Sequence, residues 1–307
     1  MRHLMSSEAQ AILHEAKSAI LDRSHENLPD LRKSTLAQYT PGVERVLRRT
    51  DVTVRTIEIA GITCLEVLPP SSTAAVDWPI LYGFGGGFVM GSPYEDLSIA
   101  GPIAARTGSR VLIPDYRLAP EHPWPAAIDD GFAVFQALAD KPFALIGESA
   151  GGNFALALML RAQTHGLRLA SALALLSPWC DLSNSGDSLS ANQGRDPTLA
   201  FENVDAAAAH YARENDISNP DISPINGDFS PHFRPTIITT GTRDLLQSQA
   251  VRMARVLGDA GVTVDLRVWE GLWHVFEFDD RLPEATQSLN QISDFLIKRM
   301  KQSTDSD

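Results

Sequence analysis

The spacing of apolar residues changes along the chain, and each spacing implies a kind of element. Near the start, Ala9, Ile12, Leu13, Ala16 and Ile20 recur at helical intervals, so the first 50 residues are predicted to be helical. Ser7 followed by Gln10 reads as a capping box. "VTVRTIEIA" and "ITCLEVLPP" then alternate around Gly61, the pattern of an antiparallel strand pair. Beyond them, "PILYGF", "RVLIPDY", "FALIGES", "ALALLS", "PTIITTG" and "VTVDLRVWEG" are predicted strands. Helices are predicted near 96–107, 125–139, 150–165, 244–260 and 284–300. In the last, Ala285, Leu289, Ile292, Leu296 and Met300 form an apolar stripe. Short apolar strands alternating with helices predict an α/β fold, a mostly parallel eight-stranded sheet flanked by helices.

One stretch breaks this rhythm. Residues 180–234 are rich in Asp, Asn, Ser and Pro around a helical island, "AFENVDAAAAHYAREN". Insertions of this length are usually lids or binding loops. Residues 180–222 are therefore assigned to a helical cap, with the N-terminal segment 1–45 as its other half. Residues 46–179 and 223–307 then form the core.

Charge and composition narrow the class. With 26 basic and 38 acidic residues the formal charge is −12, which disfavours nucleic acid and anionic lipid as partners. No apolar run reaches the roughly 18–20 residues of a membrane span. The start "MRHLMSSEAQAILHEAKSAI" carries Glu8, His14 and Glu15 without a long apolar core, so it is read as no secretory signal and the protein as cytoplasmic. Cys64 and Cys180 have no C-x-x-C spacing and are read as free core thiols. No HExxH or clustered His/Cys spacing occurs, so neither metal nor cofactor is expected.

The sharpest chemical signal is "FALIGESAGGNFALALML". Gly147, Ser149 and Gly151 form Gly-x-Ser-x-Gly between a strand-like run and an apolar helix, the setting of a nucleophile elbow. Glycines at either side remove side chains that would crowd a strained turn, and the helix N-terminus favours a developing anion. A serine nucleophile needs a base. Of eight histidines, His3, His14 and His25 lie in the N-terminal helices, His122 in "APEHPWP", His165 at a helix end, and His210 and His232 in the insertion. His274 follows a late strand, and the order serine, acid, histidine then points to Asp244 in "TIITTGTRDLL". Asp265 and Glu270 are weaker choices, one mid-strand and the other too near His274. The run "LYGFGGGFVMGS" offers Gly86 and Gly87, whose bare backbone can approach a tetrahedral oxyanion; Ala150, after the serine, supplies another donor. Phe84, Phe88, Trp179 and Trp273 flank these segments and suggest an apolar substrate pocket.

The segments "FGGGFVMGS", "DYRLAPEHPWPAAIDD" and "GESAGGNFA", with looser matches at "TTGTRDLL" and "GLWHVF", resemble the hormone-sensitive-lipase-like family of α/β-hydrolase carboxylesterases, from about residue 45 to 300. The resemblance implies an α/β-hydrolase fold with a helical cap, a triad of Ser149, Asp244 and His274, and oxyanion donors at Gly86, Gly87 and Ala150. It implies a small-molecule ester substrate with a short acyl chain and an acyl-enzyme intermediate, and it leaves a homodimer open. The segment Asp115 to Pro123 is then structural support beside the site. A lactone hydrolase using the same triad, an amidase, and a non-catalytic ligand-binding member of the fold are the alternatives. Two positions depart from the family pattern: Phe84 stands where histidine usually braces the glycine loop, and Leu245 where proline often follows the acid.

Overall fold

The computed structural model of the chain describes residues 5–15 and 19–304; Ala16 of the predicted stripe and His3 lie outside the described residues. Helices α1 (Ser7–Glu15) and α2 (Leu28–Thr50) come first. The cap of α1 is Ser6 and not Ser7: Ser6 Oγ accepts the Ala9 N–H at 3.1 Å, while the Ser7 hydroxyl turns to Glu8. Ser6 is the residue one turn ahead of Ala9, where an N-cap side chain can reach a free amide.

Strands β1 (Thr53–Ile59) and β2 (Ile62–Leu68) form the expected antiparallel pair, with Ile59 opposite Ile62. The tight turn between them puts Gly61 at φ +81°, which glycine adopts without steric cost. There follow β3 (Ile80–Gly83), α3 (Leu97–Thr107), β4 (Val111–Pro114), α4 (Ala126–Leu138), β5 (Ala144–Glu148) and α5 (Ala150–Thr164). Then come β6 (Ala172–Leu176), α6 (Ser188–Ala191), α7 (Phe201–Ala212), β7 (Thr236–Gly241), α8 (Gln247–Asp259), β8 (Val264–Trp269) and α9 (Pro283–Thr304).

The strands form one eight-stranded sheet, ordered β1-β2-β4-β3-β5-β6-β7-β8. Strand β2 runs against both of its neighbours, and the pairings from β4 to β8 are parallel. The predicted architecture is the observed one. Every residue of β3 to β7 is buried, because helices cover both faces, and this is why β3, β4 and β6 read as apolar runs, while β7 buries Thr236, Thr239 and Thr240 among its apolar residues. The edge strand β1 alternates exposed and half-buried positions. No helix of the described residues is long and apolar enough to cross a membrane.

The strand order reverses around β3, which pairs with β4 on one side and β5 on the other. Loops leaving the carboxyl ends of β3 and β5 diverge there and leave a crevice, the usual ligand site of an open α/β sheet. The helix that follows β5 packs close against this crossing. A Cβ on Gly151 would collide with the Gly83 carbonyl, and one on Gly147 with the Gly151 carbonyl. Gly258, near the end of α8, has nothing within 4 Å of its Cβ position and no positive φ.

These two environments predict opposite outcomes for the same substitution. Gly151→Ala should destabilise the fold by about 1–3 kcal/mol or more, as overpacking does when backbone must move. Gly258→Ala should stabilise by roughly 0.4–1 kcal/mol, through the unfolded chain. Thermal unfolding followed by circular dichroism measures both; equal midpoints for the two variants would contradict the packing described.

Candidate active site

Strand β5 delivers Ser149 into the crevice, and α5 begins at the next residue. Ser149 has φ 52° and ψ −117°, a backbone conformation that persists only where its surroundings hold it. Its N–H donates to Leu176 O at 2.9 Å, and its carbonyl accepts the Gly152 and Trp179 amides at 3.0 and 2.9 Å. Neighbouring strand, helix and loop thus each fix one side of the turn, and the hydroxyl is left facing the cavity.

His274 and Asp244 meet that hydroxyl. His274 Nε2 lies 2.9 Å from Ser149 Oγ, and His274 Nδ1 lies 3.0 Å from Asp244 Oδ1. Asp244 follows β7 and His274 follows β8, so the carboxyl ends of three parallel strands bring the residues together. Asp244 is fully buried; its carboxylate also accepts Thr240 Oγ1 at 2.7 Å and the Leu246 amide at 2.8 Å. Burial works to raise its pKa, but His274 and the Ser177 and Thr240 hydroxyls outweigh it, and the result is below the ordinary value. For His274, burial alone would depress the imidazole; Asp244, with Asp196 and Glu148, lifts it to about 9. The other carboxylates considered lie elsewhere: Asp265 pairs with Arg267 on β8 at 2.7 Å, and Glu270 lines a separate surface groove with Met5 and Trp269.

The loop after β3 presents the glycines. Gly86 and Gly87 have φ +99° and +68°, and both line the cavity beside Ser149. Neither amide enters a hydrogen bond among the described residues. Ala150, first residue of α5, has no intrahelical acceptor for its N–H. Three backbone donors therefore remain unpaired around the serine. A Cβ on Gly86 would strike the Met90 backbone, and one on Gly85 the Glu148 carboxylate.

Two of the four aromatic candidates are not in the pocket. Phe84 is fully buried and stacks on Tyr116, with centroids 3.9 Å apart and planes 2° from parallel. The Tyr116 hydroxyl donates to Phe84 O at 2.6 Å. Phe88 stacks on Tyr211 of α7 at 4.0 Å. Both rings point into the core because the loop bends away from the site between them, so closeness in sequence does not become pocket lining. Trp179 and Trp273 do line the cavity. The segment containing Tyr116 supports the loop as anticipated. Ala119 N–H donates to Phe88 O at 2.8 Å, and Arg32 of α2 bridges Val89 O and Ala119 O at 2.8 Å each.

Several residues that the sequence did not single out shape the site. Asp196, buried within the insertion, accepts the Leu245 amide at 3.0 Å and the His274 amide at 3.2 Å on one oxygen. It clamps the loops carrying Asp244 and His274 together. Burial and the charge of Asp244 raise its pKa. Glu148, the variable residue before the serine, is buried on the cavity wall; burial pushes it up to about 7, against the His274 charge and the Gly85 amide. Asp96 and Glu95 are also buried and raised, mainly by desolvation. A buried acid at these positions shows no periodic signature, although acidic residues inside apolar surroundings are a recognisable oddity.

The cavity above Ser149 holds about 670 Å³. Its floor is the glycine loop with Ser149 and His274, and its roof comes from Leu21, Arg23, Tyr39, Leu199 and Val204. These belong to the N-terminal region and to the insertion, two segments far apart in sequence.

Comparison with known proteins agrees with this geometry. The family described as alpha/beta hydrolase fold matches residues 80–278. An esterase of Acinetobacter venetianus is 34% identical over 80% of this chain and 82% of its own length. The carboxylesterase/phospholipase LipF of Mycobacterium tuberculosis is 34% identical over 82% of this chain and 71% of its own. Among solved structures, a hormone-sensitive lipase from a metagenome library superposes with a TM-score of 0.83 at 30% identity, covering 95% of this chain and 96% of that one. The esterase EstE5, from a crystal soaked with p-nitrophenyl butyrate, gives a TM-score of 0.83 at 29% identity over 96% and 97% of the two chains. With similarity of this extent across the whole sheet and the loops that carry the serine, the chain belongs to the α/β-hydrolase fold family, among its hormone-sensitive-lipase-like esterases.

Proposed function

We propose that the chain hydrolyses short-chain acyl esters through an acyl-enzyme intermediate on Ser149. The observation that carries this reading is the hydrogen-bonded line Asp244–His274–Ser149, with steps of 3.0 and 2.9 Å, at the floor of the cavity. Ser149 Oγ attacks the ester carbonyl as His274 Nε2 takes its proton. The carbonyl oxygen becomes an anion and settles among the unpaired amides of Gly86, Gly87 and Ala150. Such donors act where charge develops and stabilise the transition state more than the substrate. The protonated imidazole passes its proton to the departing alcohol, and water then reverses the sequence on the acyl-enzyme. Asp244 holds the imidazole with Nδ1 protonated and Nε2 free to accept.

The N-terminal region and the insertion act together as a cap on this reading. A cavity of about 670 Å³ is within the range that encloses a small ligand, and the roof limits how far an acyl chain can extend. The soak of a structural relative with a butyrate ester is in keeping with a short acyl group.

Three experiments test the proposal. Ser149→Ala should fold, lose ester hydrolysis by several powers of ten, and escape a fluorophosphonate probe that labels the wild type; Asp244→Asn should cut kcat by up to about 10⁴-fold. Undiminished turnover in Ser149→Ala would remove the serine from the mechanism.

In a series of p-nitrophenyl esters, kcat/KM should peak at roughly two to six acyl carbons for a cavity of this size. A steady climb towards long chains would contradict the enclosing roof.

The third concerns pH. His274 must be neutral to act as base, so the acid limb of kcat/KM should lie above the ordinary histidine value of 6.5, towards about 9. Asp196→Asn removes one of the charges that hold the imidazolium, so it should move the limb to lower pH. The pair also links stability to pH in the matching direction. Its contribution is present above the lowered pKa of Asp244 and is lost on the alkaline side as His274 deprotonates. An Asp196→Asn profile superimposable on wild type would refute the electrostatic role given to Asp196.

A further inference from the structure

The roof of the cavity contains a cation, Arg23, with no anionic partner among the described residues. Arg23 lies in the link between α1 and α2, and its backbone is tied to α7 at several points. Leu21 N–H donates to Asn203 Oδ1 at 2.9 Å, Asn203 Nδ2 donates to Ala19 O at 2.8 Å, and His210 Nε2 donates to Arg23 O at 2.7 Å. This clamp sets Arg23 over the site. Its Nη1 donates to Asn203 O at 3.2 Å and reaches 3.5 Å from where a Cβ on Gly87 would sit. Gly87 is a candidate oxyanion donor, so the guanidinium lies close to the loop over which an ester carbonyl would sit.

Arg32, Arg117 and Arg161, which also pack against neighbouring elements, have carboxylate partners in Glu121, Asp130 and Asp221. Arg23 forms no ion pair among the described residues, and its Nε is buried without an acceptor. Burial alone pushes its pKa down, to about 10, with no charged neighbour contributing. Taking a guanidinium out of water without an anion is costly. Its planar fork matches a carboxylate by paired hydrogen bonds. The buried acids Glu95, Asp96 and Glu148 all act on Tyr39, and none acts on Arg23. An anion in the cavity is therefore favoured beside Arg23, whose charge has no carboxylate acting on it.

We propose that Arg23 is a specificity-determining residue that selects esters bearing a carboxylate close to the scissile bond. This rests on the reading of Ser149 as nucleophile. The carboxylate is a spectator in the chemistry. It anchors the substrate so that the ester carbonyl lies over Ser149 and the glycine amides. Monoesters of short dicarboxylic acids place the charge on the acyl side, and acyl esters of small hydroxy acids place it on the alcohol side.

The test is kcat/KM on two matched pairs, monoethyl succinate against ethyl butyrate and acetylglycolate against ethyl acetate. The wild type should favour the charged member of at least one pair by about tenfold or more, the scale of hydrogen bonds to a charged group. The pair that shows the preference identifies the side carrying the carboxylate. Arg23→Gln should cut that charged-to-neutral ratio at least about tenfold, and Arg23→Lys, which keeps charge but not the fork, should retain part of it. Equal wild-type values within both pairs would overturn the proposal, and so would a ratio unchanged in Arg23→Gln. If Arg23→Gln does not fold, the wild-type ratio and Arg23→Lys decide, and an undiminished ratio in the lysine variant counts against the fork. Absence of turnover on all four esters, together with no fluorophosphonate label on Ser149, would instead overturn the nucleophile assignment beneath it.

Discussion

The site depends on a contact made possible by missing side chains. Strands β3 and β5 and the first turn of α5 converge at Gly83, Gly147 and Gly151, and a Cβ at Gly147 or Gly151 would run into backbone carbonyl oxygen. Backbone cannot yield as the end of a flexible side chain can. The chain at Ser149 therefore reverses within one residue, at φ 52°, and the surrounding hydrogen bonds hold it there. Relaxing that approach by even an ångström would swing the Ser149 hydroxyl away from His274 and the start of α5 away from the glycine loop. The placement of Ser149, of His274 beside it and of the unpaired backbone amides shares one mechanical origin.

Electrostatics adds a second constraint. The imidazole of His274 is surrounded by Asp244, Asp196 and Glu148, which together overcome the desolvation that would otherwise depress it. Asp196 differs from Asp244 in kind. It takes backbone amides of both Leu245 and His274, so it couples the positions of two loops while adding charge. Glu148 touches the glycine loop instead, through Gly85. The carboxylates around His274 are thus also the fasteners of the loops that carry Asp244, His274 and the unpaired glycine amides.

Much of this was legible in the sequence, for definable reasons. Strands β3 and β5 to β7 are buried on both faces, so each appears as a short run dominated by apolar and β-branched residues, with the loop that carries its site residues directly after it. Chain order then led from Ser149 to Asp244 and His274, because parallel strands deliver their carboxyl ends to one edge. Asp196 and Arg23 were not legible. They come from irregular segments, the insertion and the α1–α2 link, whose placement is set by side-chain contacts such as those of Asn203 and not by any periodicity. Phe84 and Phe88 misled for a related reason. Adjacency to Gly85, Gly86 and Gly87 suggested pocket lining, but the chain turns through positive φ at Gly86, Gly87 and Phe88, and both flanking rings pack into the core instead. The helix cap was displaced from Ser7 to Ser6, because several serine and acidic residues there offer similar local patterns and tertiary contact with Glu284 chooses among them.

The stack of Phe84 on Tyr116 shows how the glycine loop is held without a polar brace at position 84. A histidine there would fix the loop by a hydrogen bond. Here Tyr116 does two things at once: its ring lies parallel to Phe84 at 3.9 Å, and its hydroxyl binds Phe84 O. A parallel ring contact contributes about 0.5–1.5 kcal/mol beyond burial, and a buried hydrogen bond contributes about 1 kcal/mol more. The hydroxyl occupies the backbone carbonyl of Phe84, leaving the amides of Gly86 and Gly87 unused. Side-chain bracing from below and unpaired amides above are compatible because they use opposite faces of the same loop. The apolar residue at 84 therefore moves the support of the loop into the core while leaving its unpaired amides at the cavity.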